Sequence, residues 1–174
     1  MTKLKRGYVH VYTGNGKGKT TAALGLALRA SGAGLKVYIQ QFAKNRDCCA
    51  IKALKRIKNI TVNQCGNQAL IIGKPKAMDL MCAKKGLVKV RKNIFSNKYD
   101  LVILDEINVA MKLGLVKTRD VIEIIKLKPG QIELVLTGRN CPASIIKLAD
   151  LITDMREIRH PYHRGIKARR GIEY

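Results

Sequence analysis

Residues 13–21 read Thr-Gly-Asn-Gly-Lys-Gly-Lys-Thr-Thr: three glycines, two lysines and three hydroxyl side chains in nine positions. Glycines let a backbone curl until several N–H groups point at one centre, and lysines beside them add positive charge. That combination suits a chain of phosphates. The strict phosphate-loop pattern is G-x-x-x-x-G-K-[ST]. Gly18-Lys19-Thr20 supplies its end, whereas Thr13 stands where its first glycine belongs and Gly14 and Gly16 lie inside the loop. Lys19 can neutralise the distal phosphates, and Thr20 offers a hydroxyl to Mg²⁺. The competing reading is a glycine-rich turn with incidental lysines. A second chemical signal is Leu101-Val-Ile-Leu-Asp-Glu106, an apolar run that ends in two carboxylates. It delivers Asp105 and Glu106 to the place where a nucleotide's metal would sit, with Glu106 nearer the ion and Asp105 as its support. The alternative is two solvated acids at a strand end.

The elements that must position these residues follow from periodicity. Residues 8–14 read as a strand running into a turn, and 18–31 as an Ala- and Leu-rich helix. Strands are expected at 36–42 and 60–65, with a short helix in Cys48-Cys-Ala-Ile-Lys-Ala-Leu-Lys-Arg-Ile57 between them. Leu80, Ala83, Leu87, Val90 and Ile94 recur at spacings of three and four, which predicts a helix over 76–96 that Gly86 weakens. Strands at 101–106, 132–138 and 154–160, and helices at 118–127 and 142–150, complete the pattern; Pro142 sits near the first turn of the latter. Residues 161–174 read as an irregular tail that packs back. Strands alternating with helices predict an α/β fold, a P-loop NTPase-like parallel sheet with helices on both faces. Residues 1–174 are expected to form a single nucleotide-binding domain. Ligands of such sheets bind at the carboxyl ends of the strands, which puts the glycine loop, Asp105-Glu106 and Arg139 on one edge. Arg139 is a candidate contact for the ligand.

Composition narrows the function classes. The chain has 174 residues, 47% of them hydrophobic, enough to bury roughly 70% of the unfolded surface in one core. No apolar run reaches the roughly 18 residues of a membrane span and the N-terminus lacks the apolar stretch of a secretory signal, so a cytoplasmic protein without a membrane partner is expected. The five cysteines are odd in number and form no C-x-x-C, which argues against zinc or a disulfide framework and for small reduced hydrophobes; Cys48-Cys49 is the pair to watch for oxidation. Lys and Arg total 34 against 12 acids, a net charge of +22. This charge attracts polyanions and reads either as a solvated lysine-rich surface or as a functional basic face. With no Trp and two Phe, a base-stacking platform is not supported and nucleic acid is not expected as a partner.

Four stretches together, Gly7–Ala30 with its Thr-Gly-Asn-Gly-Lys-Gly-Lys-Thr-Thr loop, Tyr99–Asn108, Leu134–Asn140 and the closing His160–Tyr174, resemble the P-loop ATP:corrinoid adenosyltransferases over nearly the whole chain. The loop with Thr in place of the first Gly and the G-I-x-A-x-x-G-I-E-Y ending are the specific marks. The resemblance implies transfer of the 5′-deoxyadenosyl group of ATP to the Co(I) centre of a corrinoid, cob(I)yrinic acid a,c-diamide or cob(I)alamin, in cobalamin biosynthesis or salvage. The intact triphosphate is then a leaving group. It further implies that Gly14, Asn15, Gly16, Lys17, Gly18, Lys19 and Thr20 hold the triphosphate, with Asn15 toward the nucleoside and Thr21 a further hydroxyl. Thr20 and Glu106 would serve Mg²⁺ (or Mn²⁺), and Lys19 and Glu106 would be the catalytic pair. A homodimer and a reductase partner that brings Co(II) to Co(I) are implied as well.

Two departures from the family pattern stand out. Family members often carry aromatic residues, including a Trp, after the third strand that help strip the lower ligand from cobalt. Here Cys65–Asp79 contains none, so either Leu70, Ile71 and Ile72 form the apolar wall or cobalt is handled differently. About seven residues precede the first strand, so the N-terminal helix that some relatives place over a neighbouring subunit's site is not expected. Two other classes remain in view: a nucleic-acid-associated P-loop ATPase, motivated by the charge, and an ATP- or corrinoid-binding protein without catalysis, motivated by the missing aromatics. His10 reads as a satisfied core or sheet-edge residue, His160 and His163 as tail residues in ordinary packing or solvent contact, with a lower cobalt ligand as the lesser alternative, and Arg29 as too far along its helix for the loop's phosphates.

Overall fold

A computed structural model describes residues 4–43, 48–65 and 74–174. The expected wall at Leu70, Ile71 and Ile72 lies outside them. The elements in chain order are β1 Val9–Thr13, α1 Lys19–Gly32, β2 Val37–Gln41, α2 Cys49–Leu54, β3 Ile60–Gln64, α3 Ala77–Ile94, β4 Leu101–Asp105, α4 Ile107–Lys112, α5 Thr118–Leu127, β5 Glu133–Thr137, α6 Ala143–Ile146 and β6 Leu151–Asp154. A 3₁₀ turn at Pro161–Arg164 follows. The six strands lie side by side in the order β3-β2-β4-β5-β1-β6, and every pairing is parallel. This is the α/β P-loop-like sheet that the alternation of elements predicts.

Period-2 alternation divides the sheet between two cores. Val37, Ile39, Leu101, Ile103 and Val135 meet Ala23, Leu24 and Ala27 of α1 and Ile51 and Leu54 of α2. Their neighbours Tyr38, Val102, Leu104, Leu134 and Leu136 turn to the other face, against Leu87 and Val90 of α3, Ile107 of α4 and Val121 and Ile124 of α5. Both faces being covered, β2 and β4 are buried along their whole length, hence their continuous apolar runs. Gly86, which weakens the helical pattern of α3, is a packing position: a Cβ there would lie 3.2 Å from both Gln40 Nε2 on β2 and Phe42 Cε1 just after it.

Three expectations are corrected. The last strand is Leu151–Asp154, not 154–160. Its register is set from β1, with His10 opposite Leu151 and Thr13 opposite Asp154, while Asp150 Oδ2 accepts the Val9 N–H at 2.7 Å. The helix expected over 142–150 is correspondingly cut to Ala143–Ile146. A short helix, Ile107–Lys112, starts directly after β4 where none was expected. All four residues of β6, Leu-Ile-Thr-Asp, are exposed, and so short a segment has neither the alternation nor the long apolar run by which strands are found in sequence.

Gly7 marks the tightest backbone approach outside the loop. Its N–H donates to Gly130 O at 2.8 Å, and a Cβ would collide with the Ile132 carbonyl group and lie 2.5 Å from Glu133 N. Both neighbours are backbone and cannot step aside. Gly7→Ala is therefore expected to lower stability by about 3 kcal/mol, read as a reduced urea midpoint at unchanged slope; an unchanged midpoint contradicts this packing.

Candidate functional site

The phosphate loop connects β1 to α1 at the carboxyl edge of the sheet. Gly14 and Gly18 hold φ of 94° and 120°, a region that side chains disfavour. The loop's close neighbour is the chain leaving β6. A Cβ on Gly14 would lie 2.5 Å from Met155 O, and one on Gly16 would lie 2.7 Å from the carbonyl oxygens of both Met155 and Arg156. Gly16 N–H donates to Met155 O at 2.6 Å, and Met155 N–H donates to Thr13 O at 2.9 Å. Thr13, the residue that departs from the strict pattern, thus ends a paired strand, and the sharp turn is taken by Gly14. Lys19 is buried and donates from Nζ to Gly16 O at 2.6 Å, lying across the loop that it would share with phosphate.

Asp105 lies behind the loop with no exposed surface. Its Oδ1 accepts Thr20 Oγ1 at 2.9 Å and Thr137 Oγ1 at 2.7 Å, and its Oδ2 accepts Gln41 Nε2 at 2.7 Å. A carboxylate without water must be paired or hydrogen-bonded, and here three donors from α1, β5 and β2 take the place of its hydration. Thr20 spends its hydroxyl hydrogen on Asp105 and keeps its lone pairs for a cation. Glu106, next in sequence, adopts the left-handed conformation at φ 59°, a cost of about 1 kcal/mol for a residue with a side chain. Its N–H donates to Thr137 Oγ1 at 3.0 Å. The backbone twist sends Asp105 inward and lets Glu106 line the cavity.

That cavity, of about 600 Å³, is bounded by residues Gly16 to Thr21, Glu106, Val109, Leu113 and Arg139 and by three residues of the chain's end, His160, Ile172 and Glu173. Gly14 and Asn15 do not line it, nor does Arg29. Arg139 is brought there by Gly138, whose φ of 127° and close approach to Asn108 exclude a side chain. Asn108 is wholly buried, donates from Nδ2 to Gly138 O at 2.9 Å, and leaves Oδ1 as a buried atom without a partner among the described residues. His10 pairs with Glu133 at 2.6 Å within the sheet, and His163 pairs with Glu157 at 2.6 Å in the tail.

Sequence reading missed two parts of the site. The first is a row of amides at the strand ends: Gln64 Nε2 donates to Gln41 Oε1 at 3.0 Å, and Lys55 Nζ to Gln64 Oε1 at 3.0 Å. Consecutive glutamines closing an apolar strand, Val37-Tyr-Ile-Gln-Gln41, were the available signal. The second is Glu173, whose carboxylate accepts Lys17 Nζ at 3.0 Å and Arg169 Nη2 at 3.1 Å. It is held down to about 2, first by the Arg169 side chain, then by the Arg169 backbone N–H, then by Lys17.

Thr137 holds both acids at once, through its hydrogen to Asp105 and its lone pair to Glu106. Thr137→Val is expected to cost about 1–3 kcal/mol in chemical denaturation, with Thr137→Ser recovering most of it. Equal losses for valine and serine would mean that the methyl group, not the hydroxyl, matters.

The family model for ATP:corrinoid adenosyltransferase BtuR/CobO/CobP matches residues 5–174. Among curated proteins, a corrinoid adenosyltransferase of a Sinorhizobium species is 34% identical over 176 residues, covering 98% of this chain and 81% of the relative. The corrinoid adenosyltransferase of Escherichia coli K12 is 30% identical over 170 residues, covering 98% and 87% respectively. That of Pseudomonas aeruginosa PAO1 is 31% identical over 172 residues, covering 98% and 85%.

Proposed function

We proceed from the fact that this chain belongs to the ATP:corrinoid adenosyltransferase family, and we propose that it transfers the 5′-deoxyadenosyl group of ATP to the cobalt of a reduced corrinoid, with triphosphate as the second product. In this step Co(I) supplies the electron pair that forms the Co–C5′ bond. The C5′–O bond breaks, and its electrons leave with the triphosphate. No proton moves, so no general base is required. The observation that carries the reading is the joint between loop and sheet: Lys19 lies in the loop, and Thr20 is hydrogen-bonded to buried Asp105 while Glu106 lines the adjoining cavity.

The chain's residues act on charge and position. N–H groups of the loop and of the α1 N-terminus face the phosphates. Lys19, Lys17 and Arg139 counter the charge that builds as the triphosphate departs, which is where preorganised donors have most effect. Gly14 and Asn15 continue this cradle toward the nucleoside, and Thr21 adds a hydroxyl. Val109 and Leu113, one turn apart at α4, offer an apolar wall beside Glu106. A divalent cation fits the donor set: the Thr20 hydroxyl and the Glu106 carboxylate are hard oxygens, with Asp105 holding Thr20 in place. Among the described residues no cluster of three His, Cys, Asp or Glu could hold a metal alone, which suits Mg²⁺ or Mn²⁺ carried largely by phosphate oxygens. When bound, it would neutralise the leaving triphosphate.

Cob(I)yrinic acid a,c-diamide and cob(I)alamin are the two acceptor forms we favour, in biosynthesis or salvage. A homodimer and a reductase that delivers Co(I) fit the family. No helix of the described residues is long and apolar enough to cross a membrane, which is compatible with work in the cytoplasm.

Phosphorus NMR after anaerobic incubation with Mg-ATP and a Co(I) corrinoid is expected to show free triphosphate only when the corrinoid is present. Lys19→Ala is expected to slow its appearance by about 10²–10³-fold. ADP and phosphate formed regardless of corrinoid would overturn the reading in favour of a P-loop ATPase.

A further inference from the structure

Glu173 is an acid at the lip of a site proposed to bind an anion, in a chain with 12 acids against 34 basic residues. Its position is built rather than incidental. The last residues close on themselves: Glu173 N–H donates to Arg169 O at 2.9 Å and Gly171 N–H to Tyr174 O at 2.7 Å. The carboxylate accepts the Arg169 backbone N–H at 2.7 Å and both Nε and Nη2 of its side chain at 3.3 and 3.1 Å. Arg169 thus fixes the carboxylate, and the carboxylate reaches across 156 positions of sequence to Lys17 Nζ at 3.0 Å. The Glu173 carboxyl is held down to about 2, so it is an anion throughout the neutral range.

We propose that Glu173 competes with triphosphate for Lys17, releasing the lysine when ATP enters and reclaiming it as triphosphate leaves. The inference rests on the reaction proposed above. In a phosphoryl transfer, one phosphate bond breaks and the product loses part of its grip. Here the triphosphate departs whole and keeps every contact that ATP's phosphates made, so a loop that stabilises its departure from C5′ also retains it. A carboxylate of the chain's own, held ready by Arg169, weakens that retention. The two lysines of the loop divide the work. Lys19 is buried and bonded within the loop, whereas the Lys17 side chain is 45% exposed and can exchange partners without rebuilding the backbone.

The test is calorimetric binding of inorganic tripolyphosphate, with Mg²⁺ and salt held constant. Glu173→Gln is expected to bind it about fivefold more tightly than the unaltered protein, the scale of one exposed ion pair. Product inhibition by triphosphate should strengthen by the same factor in multiple-turnover assays. Glu173→Ala is a second variant with the same expected direction. In a Lys17→Met background the gain should shrink below about twofold. Unchanged or weaker binding in both Glu173 variants overturns the proposal. So does an equal gain in the Lys17→Met background, since that would report loss of a negative charge rather than competition for the lysine. These outcomes leave the adenosyl-transfer reading intact, because cobalt–carbon bond formation is read separately by the corrinoid's visible spectrum. If the unaltered protein binds no tripolyphosphate at all, the phosphate-site reading falls as well.

Discussion

The rest of the site depends on a carboxylate that is shielded from solvent. Asp105 ends the central strand β4 with its side chain fully buried. Leaving such a group without partners would cost several kcal/mol. Three donors meet it, and each arrives from a different element: Thr20 from the first turn of α1, Thr137 from the end of β5, Gln41 from the end of β2. Satisfying one buried charge therefore fixes where the phosphate loop meets the sheet, and it ties the hydroxyl of Thr20 to the strand that leads into Glu106. The left-handed turn at Glu106 is supported by the same threonine. Position at this site is an outcome of charge solvation.

A second constraint is crowding. Inward-aimed N–H groups account for the glycines of the phosphate loop, but Gly14 and Gly16 also lie against the backbone of Met155 and Arg156 and, at Gly14, the Asp154 carboxylate, with no room for a Cβ. One loop N–H, that of Gly16, is already committed to Met155 O. The loop is shaped from behind by the chain leaving β6. Thr13 can replace the usual first glycine because it is still in a strand, paired with Asp154.

The high positive charge is most telling in the tail. Arg156, Arg159, Arg164, Lys167, Arg169 and Arg170 crowd the last twenty residues, relieved only by Glu157 and Glu173. Each acid is paired, Glu157 with His163 and Glu173 with Arg169 and Lys17. The tail does pack back onto the phosphate loop, where Lys17 pairs with Glu173, while His160 and Ile172 reach the same cavity. Such a contact is weak enough to open and specific enough to matter to what occupies the loop.

Sequence alone determined the α/β class, the loop, and the carboxylate pair at a strand end. It could do so because these are local signals: a run of glycines, a lysine, an unbroken apolar stretch closed by acids. It misjudged β6 because that strand is only four residues long, Leu-Ile-Thr-Asp, and shows neither alternation nor a long apolar run. It missed α4, which is only six residues long and is launched by a left-handed glutamate. Gly86 looked like a flaw in α3 because its reason, the nearness of β2, lies 44 or more positions away in Gln40 and Phe42. The contacts of Asp105 with Thr20, Gln41 and Thr137, and of Glu173 with Lys17, span 85, 64, 32 and 156 positions. Nothing in a local stretch specifies such pairs. Only the folded chain decides which donors meet which acid, because partners so far apart in sequence are brought together only once the sheet has closed: by burial at Asp105, and by the tail's return to the loop at Glu173.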